Sequence, residues 1–409
     1  MDEPFNNFYT ICLFPFFLDK DFITFIRLNK KALNLYPNYL WKNNYNIRRL
    51  YKIIETHEES LINKLFPFFQ KKNEIKRIPK ITTVSIYCSD SEELYKIPEL
   101  FDHIQNLKIY FPCLFLQNNL SLKLVNSIPN SVENLEINCI TEELSKNFLN
   151  KGLKHLLLDF GSSKKINQGV LPENLLSLKL KNKFNTALEK NVLPNSLLTL
   201  HLSDSYNQKL ELDVLPHSLT NLTFGNNFNQ IINPNVLPSK LTTIQFGHNF
   251  NQILQPGIFP NSLLNLSFGK CFNQILQPGI FPSSLLNLIF GKCFNSSLEN
   301  ILPKGLETLY LGNDFNQPIY ELPLYLQYLC FGTSFNQDID FISYLSYLEF
   351  LQFGTKFNQK IKFNLLSKSL KCVRLVGIDL TLQIQQNTLI IHNNNKNKKF
   401  LSLPKKKLI

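Results

Sequence analysis

The chain has 409 residues, 44% of them hydrophobic, and a formal net charge of +12. Six lysines beyond Asp379 (Lys396, Lys398, Lys399, Lys405, Lys406 and Lys407) supply half of that excess, so the remainder is only mildly basic and no nucleic-acid partner is expected. No apolar run approaches a membrane span and no secretory leader is visible, so a soluble, cytoplasmic chain with no membrane partner is expected.

The N-terminal stretch comes first. Across residues 17 to 45, Phe22, Phe25, Ile26 and Leu33 recur at helical spacing, and Asp19 or Asp21 can cap a helix start. A small helical domain over 1–50 and a helical connector or cap over 51–77 are expected. Such a piece would cover the open end of a stacked array, which every array needs.

From residue 78 the pattern changes. Weak copies of an apolar-x-x-apolar-x-apolar strand begin at Ile81, Ile104 and Val132, and a further strand is expected over Leu120 to Leu124. Stronger copies start at Leu153, Leu175, Leu197, Leu219, Leu241, Leu263, Leu285, Leu306, Leu326, Leu348 and Leu370. A second marker runs in phase with them: Phe184-Asn185, Tyr206-Asn207, Phe228-Asn229, Phe250-Asn251, Phe272-Asn273, Phe294-Asn295, Phe315-Asn316, Phe335-Asn336 and Phe357-Asn358. The steps are 22 residues, except for one of 21 and one of 20. Self-similarity at this period is the signature of a solenoid. The expectation is a β-rich, leucine-rich-repeat-like solenoid over 78–376, with about 14 or 15 parallel-strand rungs and a length of roughly 65 Å at ordinary strand spacing. The period leaves no room for a long helix in each rung, so extended or short 3-10 segments are expected on the back. Residues 377–409 form a C-terminal cap and basic tail, and Leu403 to Lys407 is a candidate nuclear import signal or a solvated basic end.

One rung shows the logic. In residues 215 to 236, Leu219, Leu222 and Phe224 face a core, while Asn221 and Thr223 alternate outward. Pro216 precedes the strand, where its missing N–H costs little. Gly225 is expected to permit a backbone conformation that a side chain would hinder. Phe228 returns to the core. Asn229 sits where the chain turns, and its amide is expected to satisfy backbone groups locally, the nine asparagines stacking into a ladder inside the solenoid. The alternative is an ordinary surface-turn asparagine.

The outward positions are polar in the early rungs, from Asn134 and Glu136 to Asn265 and Ser267. Later they become Ile289, Tyr310, Tyr328 and Phe350, with Gln352 and Arg374 beyond. Exposed aromatics beside an arginine suit a partner site, although aromatic residues also simply suit strands. The eight cysteines show no Cys-x-x-Cys pair and no zinc spacing, and they read as small buried hydrophobes in a reducing compartment. Cys271 and Cys293 hold the same position in adjacent repeats, which puts them roughly 5 Å apart if rungs pair like strands. His155, His201, His217 and His248 lack repeated nucleophile or carboxylate companions, no glycine-rich phosphate loop is present, and no enzyme activity, cofactor or metal is expected.

The order Leu-Pro-x-Ser-Leu-x-x-Leu-x-Phe-Gly-x-x-Phe-Asn-Gln, shown by Phe259 through Gln274 with Phe259 in place of the opening Leu, resembles the FNIP repeat. The resemblance is strong from about 170 to 365 and departs at Thr186 and Ser296, where Gln is replaced. That family is found in social amoebae and some giant DNA viruses, and its repeats look like a variant of leucine-rich repeats. The N-terminal stretch Leu18-Asp19-Lys20-Asp21-Phe22-Ile23, with Lys30-Lys31 and Leu40-Trp41-Lys42, resembles an F-box that lacks the usual opening Leu-Pro. The resemblance implies that Leu18, Phe22, Phe25, Ile26, Leu40 and Trp41 dock the adaptor of a cullin-type ubiquitin ligase, the solenoid holding an unknown target protein. The competing expectation is a scaffold with no ubiquitin role.

Overall fold

The computed structural model describes residues 128–140, 143–361 and 366–376, with further strand residues at Lys42–Asn44, Thr83–Tyr87, 105–110, Leu380–Gln385 and Thr388–Asn393. The positions expected to dock an adaptor, the connector 51–77, the strand at 120–124 and the lysine tail lie outside the described residues. The chain divides into two compact units, Met1–Leu178 and Lys179–Ile409.

In the first unit, β1 (Lys42–Asn44), β2 (Thr83–Tyr87), β3 (Asn106–Tyr110), β4 (Asn134–Ile140) and β5 (His155–Phe160) form a parallel ladder. The pairing is in phase with the apolar pattern: Leu107 opposes Leu135, and Leu135 opposes Leu156. No α-helix occurs among the described residues; the expected helical domain over 1–50 lies outside them apart from Lys42 to Asn44. Three of its residues, Lys42 to Asn44, are strand instead. Asparagine is a poor helix former, and the ladder offers those backbone groups partners. Cys139, read from the sequence as a small buried hydrophobe in a reducing compartment, is buried but disulfide-bonded.

A sixth strand, β6 (Ser177–Asn182), runs across the division between the units. In the second unit follow β7 (Thr199–His201), β8 (Asn221–Thr223), β9 (Thr243–Gln245), β10 (Asn265–Ser267), β11 (Asn287–Ile289), β12 (Thr308–Tyr310), β13 (Tyr328–Cys330), β14 (Phe350–Phe353) and β15 (Cys372–Leu375). Each is parallel to its neighbour. The ladder then reverses. Strands β16 (Leu380–Gln385) and β17 (Thr388–Asn393) add antiparallel, so the parallel run ends on a hairpin. About 11 turns of parallel, leucine-rich-repeat-like solenoid are present in all, against the 14 or 15 expected. The weaker copies expected from Ile81, Ile104 and Val132 fall on β2, β3 and β4, which pair parallel in the expected phase.

Each 22-residue turn closes with three tight bends and one short strand. The Leu219 N–H donates to the Pro216 carbonyl (3.1 Å), and the same bend recurs at Pro194, Pro238, Pro260 and Pro282. Proline suits that place because only its carbonyl is needed. The Phe228 N–H donates to the Gly225 carbonyl (3.2 Å), and the Val236 N–H to the Asn233 carbonyl (3.3 Å). The last bend needs a left-handed residue at its third position. Asn191, Asp213, Asn235, Gly257, Gly279 and Asn300 fill it with φ between 56° and 85°. Three bends leave no length for a helix; among the described residues of these turns, Asp340–Tyr344 forms a short 3-10 turn instead of a bend.

Gly225 and its counterparts Gly247, Gly269, Gly291, Gly312, Gly332 and Gly354 have a different reason from the one expected. None has positive φ. A Cβ on any of them would collide with the backbone of the preceding turn: the Ser203 carbonyl for Gly225, the Gly225 carbonyl for Gly247, and so on down the column. The constraint is close approach of backbone to backbone, not conformational freedom. It coincides with a change in strand length. Strands β4 to β6 have six or seven residues, while β7 to β13 have three.

Behind the strands, the Phe-Asn phenylalanines stack face to face from Phe184 through Tyr206 to Phe335, with ring centroids 6.0 to 6.4 Å apart. Phe357 continues the column at 6.4 Å. The strand phenylalanines form a second column, Phe224, Phe246, Phe268 and Phe290, spaced 5.0 to 5.5 Å. Phe184 to Phe335 are wholly buried. Tyr206 alone in that column carries a hydroxyl, which is buried beside the Leu188 backbone without good hydrogen-bond geometry. Burial pushes its pKa up to about 12.

The asparagines form a continuous hydrogen-bonded column. The Asn207 N–H donates to Asn185 Oδ1 (2.8 Å), Asn229 to Asn207 (2.9 Å), Asn251 to Asn229 (2.9 Å) and Asn273 to Asn251 (2.9 Å). Asn295, Asn316, Asn336 and Asn358 continue it at 2.8 Å each. The next residue adds a second bond to the same acceptor: Gln208, Gln230, Gln252 and Gln274 donate from Nε2 at 3.1 to 3.2 Å. At the repeat that lacks Gln, Ser296 donates to Asn273 Oδ1 instead (3.4 Å). Two details differ from the expectation. The amide reaches the next turn rather than its own, and the column runs along a half-exposed corner rather than inside, Asn273 and Asn358 being exposed.

Three stability outcomes follow, each read by thermal and denaturant melts. Gly269→Ala is expected to cost more than about 3 kcal/mol because backbone must move, whereas Gly257→Ala, with open space around it, costs about 1 to 2 kcal/mol of left-handed strain. Equal costs would refute the close-approach account. Asn251→Ala strands the Asn273 N–H and should cost about 1 to 3 kcal/mol. Tyr206→Phe removes a poorly satisfied hydroxyl and should be neutral or stabilising; a loss above about 1 kcal/mol would show that the hydroxyl is well bonded after all.

Candidate partner-binding face

Along the second unit, the outward strand positions fall into two columns fixed by the ladder. One reads Asn287, Thr308, Tyr328, Phe350, Cys372; the other reads Ile289, Tyr310, Cys330, Gln352, Arg374. Strand alternation forces this, since the intervening Leu288, Leu309, Leu329, Leu351 and Val373 are wholly buried. Ile289, Tyr310, Tyr328, Phe350, Gln352 and Arg374 are therefore brought onto one face of five neighbouring strands. Ile289 is 40% exposed, and Tyr310 and Tyr328 are 39% exposed each. Phe350 is half-buried, its ring 6.4 Å from that of Tyr328.

Cys330 holds an outward position yet is only 3% exposed. The Tyr310 side chain lies within hydrogen-bonding reach of its thiol, and burial pushes the Cys330 pKa up to about 11. Burial likewise raises the pKa of Tyr310. Tyr310 is thus held against the sheet by a neighbour on the next strand. Upstream on the same face, burial and then Lys179 lower the pKa of His201, which favours its neutral form. Among the described residues no group of three or more His, Cys, Asp and Glu could hold a metal ion, and no described helix is long and apolar enough to cross a membrane.

Two exposed apolar features escape a reading confined to strand positions. Tyr325 and Tyr347 stand exposed at the bend before β13 and β14, with ring centroids 5.4 Å apart. Their place belongs to the serine of Pro-x-Ser-Leu, which elsewhere donates to the previous turn, as Ser218 does to the Leu197 carbonyl (2.7 Å) and Ser262 to the Leu241 carbonyl (2.6 Å). Two successive Ser-to-Tyr departures from the repeat were the available signal. The second feature is a column of isoleucines just after the Asn-Gln pair: Ile231, Ile253 and Ile275, the last 82% exposed. Its signal was an apolar residue recurring every 22 positions beside a polar pair.

The FNIP Repeat family matches this chain at residues 162–205, 206–249, 250–293 and 294–321. Among solved structures, CroV588, described as a novel circular LRR protein structure, superposes with a TM-score of 0.58 at 35% sequence identity and covers 73% of this chain. The chain spans about half of that protein's length, 47%. YopM from Yersinia enterocolitica WA-314 is 16% identical, with a TM-score of 0.30 over 73% of this chain and 83% of its own, and carries no weight here. No curated protein matches the chain. The repeat order, the ladder and the CroV588 superposition agree: residues 162–321 are FNIP repeats, and the chain is a repeat protein with a leucine-rich-repeat-like fold.

Proposed function

We propose that the chain is a protein-interaction adaptor whose second unit captures a target protein on the aromatic end of its strand face. The observation that carries this reading is the change of surface chemistry along one continuous set of positions. From Thr199 to Ser267 the outward residues are polar, and from Ile289 to Phe350 most become apolar or aromatic while the parallel ladder continues in register beneath them. A stacked array needs nothing from those side chains, because inward leucines and phenylalanines already make its core. Aromatic anchors with a nearby arginine are the composition of interface hot spots. Leucine-rich-repeat-like folds are typically protein-binding scaffolds rather than enzymes.

The finer form of the proposal is a substrate-recruiting subunit of a cullin-type ubiquitin ligase. Its support is the F-box-like stretch around Leu18, Phe22, Phe25, Ile26, Leu40 and Trp41. The transfer chemistry then belongs to other subunits, and the chain itself works in the cytoplasm or nucleus. The competing reading, a scaffold with no ubiquitin role, keeps the aromatic face and drops the adaptor.

Tagged full-length chain, recovered from the host cell, separates these. Changing Tyr310, Tyr328 and Phe350 together to Ser is expected to reduce target capture at least about tenfold, the loss of one strong hot spot, with the melting curve retained. The same change at Ile231, Ile253 and Ile275 should leave capture intact. The reverse pattern would move the site to the isoleucine column. Phe22→Ser with Trp41→Ser should abolish recovery of the ligase adaptor while sparing the target; no adaptor with the unaltered chain would leave the scaffold reading.

A further inference from the structure

The bend that follows each glycine of the close-packed column carries one position whose side chains face their counterparts in the neighbouring turns. Down the second unit it is occupied by Asn227, Asn249, Cys271, Cys293, Asp314 and Ser334. The backbone links these bends turn by turn. The Asn249 N–H donates to the Asn226 carbonyl (2.9 Å), Cys271 to His248 (2.8 Å), Cys293 to Lys270 (2.9 Å) and Asp314 to Lys292 (2.8 Å). Side chains in the column reach one another, for Asn249 Nδ2 donates to Asn227 Oδ1 at 3.1 Å. Cys271 and Cys293 are the next two members, both free thiols and both half-exposed.

The spacing at that level of the bend is bracketed by its flanks. Phe272 and Phe294, the residues that follow the two cysteines, stack with centroids 6.2 Å apart and planes within 8°. Immediately before them, the Gly269 carbonyl sits where a Cβ of Gly291 would be. The cysteine Cα atoms are thus one turn apart, about 5 to 6 Å, inside the Cα–Cα range of about 4.4 to 6.8 Å that a disulfide spans. Their side chains leave the same position of the same bend and so point the same way, which leaves the Cβ atoms at that same separation; the two bends must draw together by about 1 Å to reach the roughly 3.5 to 4.5 Å of a disulfide. Lys270 and Lys292 precede them, and Asp314 follows on the next turn.

We propose that Cys271 and Cys293 form a dithiol modification site that closes to a disulfide across adjacent turns. With a peroxide as oxidant, one thiol gives up two electrons to the O–O bond, forming a sulfenic acid and releasing water. The second thiol attacks that sulfur, the S–S bond forms, and a second water leaves. The peroxide is reduced and the thiol pair oxidised, and a dithiol reductant restores both. The site lies immediately beyond Ile289, so the cross-link would tie the first turn of the aromatic face to the polar turn before it. Cys330 offers an internal contrast, since it is buried beneath Tyr310.

The test uses the full native chain, with one variant as its control. After brief hydrogen peroxide exposure, alkylation and tryptic digestion, cleavage after Lys270, Lys292 and Lys304 puts the two cysteines on separate peptides, 271–292 and 293–304. The expected result is a linked pair of these peptides, two hydrogens lighter than their sum, abolished by dithiothreitol, with Cys330 still reduced. Phenylarsine oxide on the reduced chain should protect both peptides from alkylation together. The proposal is overturned if both peptides stay alkylated after peroxide, if each carries its own sulfinic acid, if they link to other cysteines, or if Cys330 oxidises as fast. Cys293→Ser in the same assay should leave Cys271 unlinked; a Cys271 cross-link that persists in it would equally refute the pair.

Discussion

Everything in the second unit depends on one contact repeated at each turn: an asparagine side-chain oxygen accepting the backbone N–H of the asparagine one turn on. Strands of three residues contribute few ladder bonds each. A bend leaves backbone donors without ladder partners, and a buried or half-buried donor left alone costs about 1 to 3 kcal/mol. The asparagine column converts that liability into a second ladder. The glutamine or serine beside it fills the remaining acceptor capacity of the same oxygen. The contact holds neighbouring turns in register but does not set their length: it is kept at 2.8 Å where the step shortens to 21 residues, from Asn295 to Asn316, and to 20, from Asn316 to Asn336.

The glycine column sets the other half of the geometry. Carbonyls of one turn occupy the space a Cβ would need on the next, so the bends nest while the phenylalanines beside them stack. The two columns work at the same corner from opposite requirements. One needs a specific side chain at every turn; the other needs none. That leaves the strand face unconstrained in composition, which is why it can change from polar to aromatic without disturbing the array. Structural and functional demands fall on different positions of the same 22-residue unit, and departures from the repeat become the informative ones.

Most of this architecture was legible because the repeat averages out local ambiguity. Leu219, Leu222 and Phe224 read as inward from one copy, and ten further copies say the same. What was not legible had specific physical causes. Gly225 looks like a glycine needed for a left-handed bend, and a single sequence cannot distinguish that from backbone contact with a neighbouring turn. The residues that do adopt left-handed φ, such as Asn191 and Asp213, are disguised by not being glycine. Asn229 looked like a local cap because its true partner is 22 residues away. Cys330 is buried, as its residue type suggests, although strand alternation gives it an outward position, because the Tyr310 side chain lies against it. Lys42 to Asn44 fall within the helical domain expected over 1–50, but the helical spacing of Phe22, Phe25, Ile26 and Leu33 does not extend to them.

The central claim is that inter-turn asparagine contacts hold the register at a corner open to solvent. Residue-resolved amide hydrogen exchange on the full chain tests it most directly. The account predicts that the backbone amides of Asn229, Asn251, Asn273 and Asn295 exchange slowly, with Asn273 protected as well as its neighbours although its side chain is exposed. Exchange of these amides at the rate of an unstructured loop, while the strand amides beside them stay protected, would contradict it.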